Sequence, residues 1–163
     1  MSANLFAEQE KRFMDEALVL AAKGAGRTSP NPMVGAVVVD PRGEVAGRGW
    51  HTRAGESHAE IHALGEAGDR SRGASLYVTL EPCAHQGRTP PCTGAIREAG
   101  IRRVVAAVED PNPKVSGAGV RFLREAGLSV EVGLRAREAV RLNEAFFFLG
   151  ANGPPFRHPQ SGR

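Results

Sequence analysis

The chain contains little cysteine, few aromatic residues and no long apolar segment. Two of its 163 residues are Cys, and Phe, Tyr and Trp together make up 6% of it. No apolar run approaches the roughly 20 residues that span a bilayer, and residues 1–10 lack the basic and apolar regions of a secretory signal. These absences predict a cytoplasmic protein that does not enter a membrane.

The charge balance gives no sign of a nucleic-acid groove. The formal net charge is +3, and the sequence pI is about 9.3. The arginines are scattered along the chain, and no basic cluster is interleaved with aromatic residues. A small phosphorylated substrate would need only one or two of these cations, which favours a small molecule over nucleic acid as the partner.

Alternating strand and helix patterns predict a single α/β domain. The predicted helices cover 8–23, 57–67, 91–99, 117–126 and 135–149, and the predicted strands cover 34–40, 44–51, 74–80, 103–108 and 128–132. In this interpretation the first two strands form an antiparallel hairpin, the last three are parallel, and helices cover both faces of the sheet. We expect the domain to occupy residues 1–149 and a flexible, Gly- and Pro-rich tail to occupy 150–163.

One His and two Cys are arranged as candidate ligands for a zinc ion. His58 lies in S-H-A-E-I-H, and Cys83 and Cys92 lie in E-P-C-A-H-Q-G-R-T-P-P-C. Three protein ligands leave a fourth position at which zinc can activate water, whereas structural sites use four ligands. Glu60 is a carboxylate that can move protons beside the metal. The pattern is that of zinc nucleobase deaminases, with their P-C-x-x-C stretched here.

Each of these residues also has a structural interpretation. The two Cys can instead form a disulfide or act as buried thiols, although both lie in polar, Pro-rich sequence. Glu60 stands three residues after Ser57, the predicted N-cap of the second helix, so it can complete a capping box. His62 lies four residues after His58, but zincins need Glu directly after the first His, and Ala59 stands there. We interpret His62 as a packing or hydrogen-bonding residue.

The segment between the two Cys carries two further candidate residues. Eight residues separate Cys83 from Cys92, and both ends of the segment are tied to one ion in this interpretation. The middle of the segment must then remain near the metal, which places His85 and Arg88 at the mouth of the site. Polar side chains there predict a substrate with polar or anionic groups.

Several motifs together resemble one family of deaminases. T-S-P-N-P-M-V-G-A-V-V-V, G-W-H, H-A-E, T-L-E-P-C-A-H-Q-G-R-T-P-P-C and D-P-N-P are similar to the deaminase domain of riboflavin biosynthesis, diaminohydroxyphosphoribosylaminopyrimidine deaminase. The resemblance covers about residues 8–149 and implies a three-layer α/β/α, cytidine deaminase-like fold with a mixed, mostly parallel five-stranded sheet. It implies that zinc and Glu60 serve hydrolytic removal of the ring 2-amino group from 2,5-diamino-6-ribosylamino-4(3H)-pyrimidinone 5′-phosphate.

The same resemblance implies a set of substrate contacts. The residues placed around the substrate are Asn31, His51, His85, Arg88, Asp110 and Asn112. Of these, Asn31 and His51 would contact the base and Arg88 the phosphate, with Lys114 as a further candidate for the phosphate. The turn sequences S-P-N-P and D-P-N-P give three members of the set a structural role that can coexist with substrate binding.

The resemblance also bears on cofactors and partners. Bifunctional relatives continue into a reductase domain that uses a nicotinamide cofactor, but this sequence shows no Rossmann-like unit. We therefore expect zinc without NADP, and a separate reductase for the next step, whether the chain is a natural stand-alone deaminase or a truncated one. Residues 146–149 predict either core packing or a subunit interface, which leaves a homo-oligomer open. The alternatives are another nucleobase or tRNA adenosine deaminase of this fold, and a binding module with a structural zinc.

Overall fold

The structure is a computed structural model that describes residues 2–86 and 90–152, with side chains described for 8–86 and 90–148. Its helices and strands are α1 (Ser2–Ala22), β1 (Gly35–Val39), β2 (Val45–Trp50), α2 (Ala59–Ala67), β3 (Ser75–Val78), α3 (Cys92–Glu98), β4 (Arg103–Ala106), α4 (Ala118–Glu125), β5 (Ser129–Val132), α5 (Ala136–Leu142) and α6 (Glu144–Asn152). A short 3-10 turn, Gly68–Ser71, follows α2. Every predicted element is present, and the last predicted helix is divided into α5 and α6.

Five strands form one sheet in the order β2-β1-β3-β4-β5. Strand β1 pairs antiparallel with both β2 and β3, whereas β3, β4 and β5 are parallel to one another. Within the described residues, four strands therefore run in one direction and β1 runs against them, which confirms the predicted hairpin and the mixed, mostly parallel sheet. The carboxyl ends of β3 and β4 meet at one edge of the sheet, where open α/β folds bind ligands.

Buried apolar residues cover both faces of the sheet. On one face, α2, α3 and α4 pack through a core that includes Ala63, Ile96 and Leu123. On the other face, α1 and α5 contribute Met14 and Ala139. The three-layer prediction is confirmed. Among the described helices, none combines the length and the apolar character needed to cross a bilayer.

Close contact at Gly49 sets the position of α2. A Cβ atom added at Gly49 would lie 2.3 Å from the backbone oxygen of Ala59 and 2.6 Å from the backbone nitrogen of Ala63. Both atoms belong to α2, so a side chain at position 49 would keep β2 from approaching the helix this closely. Because Ala59 lies between His58 and Glu60, this contact also fixes the part of the chain that carries both candidate site residues.

We expect Gly49→Ala to lower the free energy of unfolding by about 1–3 kcal/mol, because α2 must shift to accommodate the methyl group. Gly65→Ala in the same helix is the matched control, since a Cβ atom there meets no atom within 4 Å. Alanine is favoured over glycine in a helix interior by roughly 0.5–1 kcal/mol, so the control should gain stability. Urea unfolding followed by circular dichroism measures both, and equal stability of Gly49→Ala and the wild type would contradict the close contact.

Asp40 stabilises the turn between β1 and β2. Its Oδ1 accepts hydrogen bonds from the backbone N–H groups of Arg42 at 2.9 Å and Glu44 at 3.1 Å. Its Oδ2 accepts two more from the Arg70 guanidinium, at 2.7 and 3.1 Å. The hydrogen bonds from Arg70, and next those from the turn backbone, lower the pKa of Asp40 below its usual value.

The direction of this shift predicts an acid-sensitive contribution to stability. Because the folded-state pKa of Asp40 is below the unfolded one, the contribution is complete above about pH 4 and is lost as the pH falls through the folded-state pKa. We expect Asp40→Asn to lower Tm near pH 7 and to differ less from the wild type as the pH falls toward about 3. Thermal unfolding across this range measures the difference, and a constant difference would argue against the ionised contact.

The start of α2 differs from the prediction. Its N-cap is His58, with φ −72° and ψ 162°, and no side chain caps the helix. The predicted Ser57 cap, and with it the capping box at Glu60, is therefore wrong. The helix begins one residue later, and the extended backbone at the cap position accompanies a His58 side chain that faces the two cysteine sulfurs.

The last predicted helix is divided at Asn143, where φ is −123° and ψ is 40°. Asn143 Oδ1 accepts a hydrogen bond from the Met33 N–H, and Asn143 Nδ2 donates one to the Met33 carbonyl, each at 2.8 Å. This long-range pairing competes with a continuous helix. Helix α6 then reaches Asn152, three residues past the predicted end, and residues 153–163 of the predicted tail lie outside the described residues.

Candidate metal centre and active site

Three candidate ligands converge from two helix N-termini and one loop. His58 is the N-cap of α2, Cys92 is the first residue of α3, and Cys83 lies on the loop after β3. His58 Nδ1 lies 3.2 Å from Cys92 Sγ and 3.7 Å from Cys83 Sγ. The ligand atoms of all three residues lie within 4.8 Å of one another. The structure therefore brings the three predicted metal ligands together.

This donor set fits a zinc ion. Tetrahedral zinc, with its usual bond lengths to sulfur and nitrogen, separates an N ligand from an S ligand by about 3.5 Å, and the observed distances lie on either side of that value. One imidazole and two thiolates are donors that suit zinc. Among the described residues, no fourth His, Cys, Asp or Glu joins the cluster. His58 and Cys83 are only half-buried, so the cluster can be reached from solvent.

Hydrogen bonds within the cluster favour the Cys83 thiolate. The Cys92 side chain and the His58 ring hydrogen-bond to Cys83 Sγ, and the backbone N–H of Cys92 donates to it at 3.3 Å. These contacts lower the pKa of the Cys83 thiol far below its usual range. The hydrogen bond with Cys83 also raises the pKa of His58. Because a metal ion needs thiolates and a neutral imidazole as ligands, its binding would release the protons that these side chains carry.

Glu60 is buried beside the cluster in the first turn of α2. Its side chain is 3% exposed. Burial raises the pKa of Glu60 to about 7, and the nearby His58 ring acts in the opposite direction. Glu60 also interacts with Cys83 and Cys92. A buried carboxyl with a pKa near neutrality is suited to accept a proton and then to donate it.

His51 and Asn31 form a hydrogen-bonded pair next to His58. The His51 and His58 rings meet edge to face, with their centroids 5.6 Å apart. His51 Nδ1 lies 3.3 Å from the Ser57 carbonyl oxygen, which can only accept, so Nδ1 carries the proton and Nε2 accepts from Asn31 Nδ2 at 3.3 Å. Burial lowers the pKa of His51 and so favours the neutral ring. The predicted base contact His51 therefore lies beside the metal cluster, and Asn31 is joined to it by a hydrogen bond.

Asp110 and Asn112 lie in the loop after β4 and stabilise its turns. Asp110 Oδ1 accepts a hydrogen bond from the Asn112 N–H at 2.9 Å, and Asn112 Oδ1 accepts one from the Lys114 N–H at 3.0 Å. The predicted turn role is confirmed. The Asp110 N–H donates to Glu81 Oε1 at 3.0 Å, which connects this loop to the segment that carries Cys83. Contact of either side chain with a substrate stays a prediction.

The remaining predicted residues lie at the surface or outside the described part of the chain. His85, in the segment after Cys83, is exposed, and so is Lys114. Arg88 lies outside the described residues. His62 does not belong to the metal-binding cluster found among the described residues, in agreement with its exclusion as a ligand, although its side chain is exposed rather than packed.

Sequence reasoning did not assign two residues whose side chains join distant segments of the backbone. The buried Glu81 accepts hydrogen bonds from three backbone N–H groups, and Asn143 holds the backbone of Met33. A signal for each is visible in retrospect. Helix α4 has Gly117 at its N-cap, which has no side chain with which to cap it. Asn143 stands inside a predicted helix, where Asn competes for backbone hydrogen bonds.

Comparison with known families decides what this cluster is. A sequence profile described as the cytidine and deoxycytidylate deaminase zinc-binding region matches residues 7–108. The chain belongs to this deaminase family. The match includes His58, Glu60, Cys83 and Cys92, so zinc is the cofactor of this domain and the three converging side chains are positioned as its ligands.

Relatives of this deaminase-family chain carry names from riboflavin biosynthesis. The riboflavin biosynthesis protein RibD of Aquifex aeolicus is 58% identical over 140 residues, which are 86% of this chain and 39% of RibD. The diaminohydroxyphosphoribosylamino-pyrimidine deaminase of Buchnera aphidicola subsp. Schizaphis graminum is 46% identical over 147 residues, which are 90% of this chain and 99% of that protein. The chain thus spans about two fifths of the RibD relative and nearly all of the Buchnera one.

Solved structures agree with the deaminase fold. Acinetobacter baumannii RibD superposes with a TM-score of 0.88 at 45% identity, over 92% of this chain and 42% of that one. The Aspergillus oryzae Rib2 deaminase, solved in complex with DARIPP, gives a TM-score of 0.70 at 25% identity, over 86% of this chain and 93% of that one. The predicted cytidine deaminase-like fold is confirmed.

Proposed function

We propose that the chain is a zinc-dependent deaminase that converts 2,5-diamino-6-ribosylamino-4(3H)-pyrimidinone 5′-phosphate to 5-amino-6-ribosylamino-2,4-pyrimidinedione 5′-phosphate and ammonia. The observation that carries the proposal is the buried Glu60 beside a cluster of one His and two Cys. The substrate is supported by the name of the Buchnera relative, which matches this chain over almost its whole length. The complex of the Rib2 deaminase with DARIPP supports the same class of ligand.

The proposed reaction is a hydrolytic exchange of an amine for an oxygen. Zinc held by His58, Cys83 and Cys92 would supply the Lewis acidity that makes water a nucleophile near neutral pH. Glu60 takes one proton from the attacking water and delivers it to the adjacent ring nitrogen. As the new C–O bond becomes a carbonyl, Glu60 takes the second proton and delivers it to the amino group, whose C–N bond breaks to release ammonia. Without metal, burial raises the pKa of Glu60 to about 7, and zinc bound beside it would lower that pKa and so favour the carboxylate that accepts the first proton.

The substrate contacts belong to the same proposal. Asn31 and His51 would contact the base. The hydrogen bond from Asn31 Nδ2 to His51 Nε2 uses one of the two N–H groups of the amide and orients the Asn31 side chain. The Asn31 carbonyl oxygen is then suited to accept from an N–H group of the base. His85, Arg88, Asp110 and Asn112 complete the set proposed to surround the substrate.

Ammonia release is the direct test of the proposed substrate. The zinc-loaded protein is incubated separately with the diaminopyrimidine phosphate, cytidine, guanine and tRNA, and ammonia is measured by a coupled assay. We expect kcat/KM to be highest for the diaminopyrimidine phosphate. Faster release from another nucleobase or from tRNA would replace the proposed substrate, and release from none of them would overturn the proposed activity.

Three further properties of the chain stay predictions. They are a domain at residues 1–149 followed by a tail at 150–163, assembly into a homo-oligomer, and a separate reductase that carries out the next step. A cytoplasmic location is proposed because cysteine ligands remain reduced there and because the relatives are bacterial biosynthetic proteins. Phe148 in α6 is 65% exposed, which supports an interface there, and light scattering coupled to size exclusion would give the number of subunits.

A further inference from the structure

Glu81 is a buried carboxylate whose hydrogen-bond partners are backbone groups. The residue is 7% exposed. Its Oε1 accepts from the N–H groups of Asp110 and Gly117, both at 3.0 Å, and its Oε2 accepts from the N–H of Val120 at 3.1 Å. A buried carboxylate is costly unless such donors satisfy it, so Glu81 holds the loop after β4 and the start of α4 together.

Glu81 supplies the cap that α4 lacks in its own sequence. The N-cap of α4 is Gly117, which has no side chain, and no local side chain caps the helix. The Val120 N–H, which a Ser or Asp at the N-cap would normally satisfy, instead donates to the carboxylate of Glu81. The N–H of Gly117, which the Glu of a capping box would satisfy, donates to the same carboxylate. The negative charge of the Glu81 carboxylate at this N-terminus also interacts favourably with the positive end of the helix dipole.

Helix α4 also rests directly on the residue after Glu81. A Cβ atom at Gly119 would lie 2.0 Å from the Pro82 carbonyl oxygen and 3.2 Å from Glu81 Cγ. The backbone N–H of Glu81 donates to the Val108 carbonyl at 2.9 Å, which continues the pairing of β3 with β4. The segment that leads to Cys83 is therefore joined to the loop of Asp110 by its backbone and by the Glu81 side chain.

We propose that Glu81 is a positioning residue that holds the loop of Asp110 and Asn112 at a fixed place relative to Cys83, and that this sets the affinity for substrate. The proposal rests on the proposed function, because Asp110 and Asn112 matter only as contacts of that substrate. Glu81 itself touches neither the metal ligands nor the reacting atoms in this proposal. It acts through the two backbone segments that it joins.

The test compares Glu81→Gln with Glu81→Asp and with Glu109→Gln. Gln presents an NH2 group to backbone donors and leaves at least one of them unsatisfied, whereas Asp keeps the charge on a shorter side chain. Glu109 is the matched control, since it is an exposed carboxylate in the same loop that accepts only from Ser116 Oγ, at 3.3 Å, among the hydrogen bonds found for the described residues. We expect KM to rise about tenfold or more in Glu81→Gln, less in Glu81→Asp, and to stay unchanged in Glu109→Gln, with the zinc content of all three unchanged.

A purely structural role of Glu81 predicts a different result. It would lower Tm while KM and kcat, measured well below Tm, stay at wild-type values, and that result would overturn the proposal. Amide hydrogen exchange gives a readout that does not depend on activity, and Glu81→Gln should speed exchange at Asp110, Gly117 and Val120. If the wild type releases no ammonia, the proposed function fails, whereas unchanged exchange at these three amides removes the positioning role. If Glu81→Gln does not fold, Glu81→Asp provides both measurements.

Discussion

Glu60→Gln is expected to lower kcat for ammonia release by at least about 10²–10⁴-fold, because the proposed proton transfers all use this carboxyl. Gln has nearly the same shape and can still fill the buried position, but it cannot accept a proton from water. Binding of substrate should change far less, because the base would be held by other residues. Stopped and continuous ammonia assays over a range of substrate concentrations separate kcat from KM.

The matched control for this variant is Glu56→Gln. Glu56 is an exposed carboxylate four residues earlier, and it forms a surface ion pair with Arg53 at 3.9 Å. The control should keep the wild-type rate, and both variants should keep one zinc ion per chain. Equal rates for Glu60→Gln and the wild type would remove Glu60 from the proton transfers and would call for another base near the cluster.

His58→Ala is expected to remove zinc and, with it, ammonia release. One of only three proposed protein ligands is lost, so zinc affinity should fall by more than the 10–100-fold that loss of an outer contact costs. His62→Ala is the matched control, because it removes an imidazole from the same helix, outside the cluster. Metal analysis after dialysis against a weak chelator compares the two variants with the wild type.

Zinc addition makes this comparison sharper. The chelated wild type and His62→Ala should recover activity when zinc is restored, while His58→Ala should not recover at equal zinc concentration. If His62→Ala lost zinc instead, the ligand assignment on α2 would have to move by one helical turn. If neither variant lost zinc, the cluster of His58, Cys83 and Cys92 would not be the metal centre.

The metal cluster was predictable because its chemistry is visible in residue types and spacing. Only two Cys occur in the chain, and the strand and helix pattern puts one after β3 and the other at the start of α3, which meet at the same edge of the sheet. The alternation of strands and helices was also enough to predict the three layers. The short turn after the first buried strand was enough to predict the hairpin in which β1 runs antiparallel to β2. These features depend on local sequence and on general rules of chain topology.

The features that were missed depend on contacts between residues far apart in sequence. The cap of α4 comes from Glu81, which lies 36 residues before Gly117, and the break between α5 and α6 comes from Asn143 bonding Met33, 110 residues earlier. No local pattern contains either partner. The error at Ser57 has a related cause, since Ser is a good N-cap by itself, whereas the cap position is occupied by His58, whose ring meets the sulfur atoms.

The amide pair between Asn143 and Met33 bears on where this domain can be shortened. Among the described residues the last strand of the sheet ends at Val132, and the match to the zinc-binding profile ends at residue 108. A chain shortened to either boundary would lack Asn143 and its two hydrogen bonds to the backbone of Met33, which lies two residues after Asn31. We expect a chain ended at Leu142 to retain its metal but to bind the proposed substrate more weakly, because the Asn143 amide would no longer hold the backbone of Met33 next to the segment that carries Asn31.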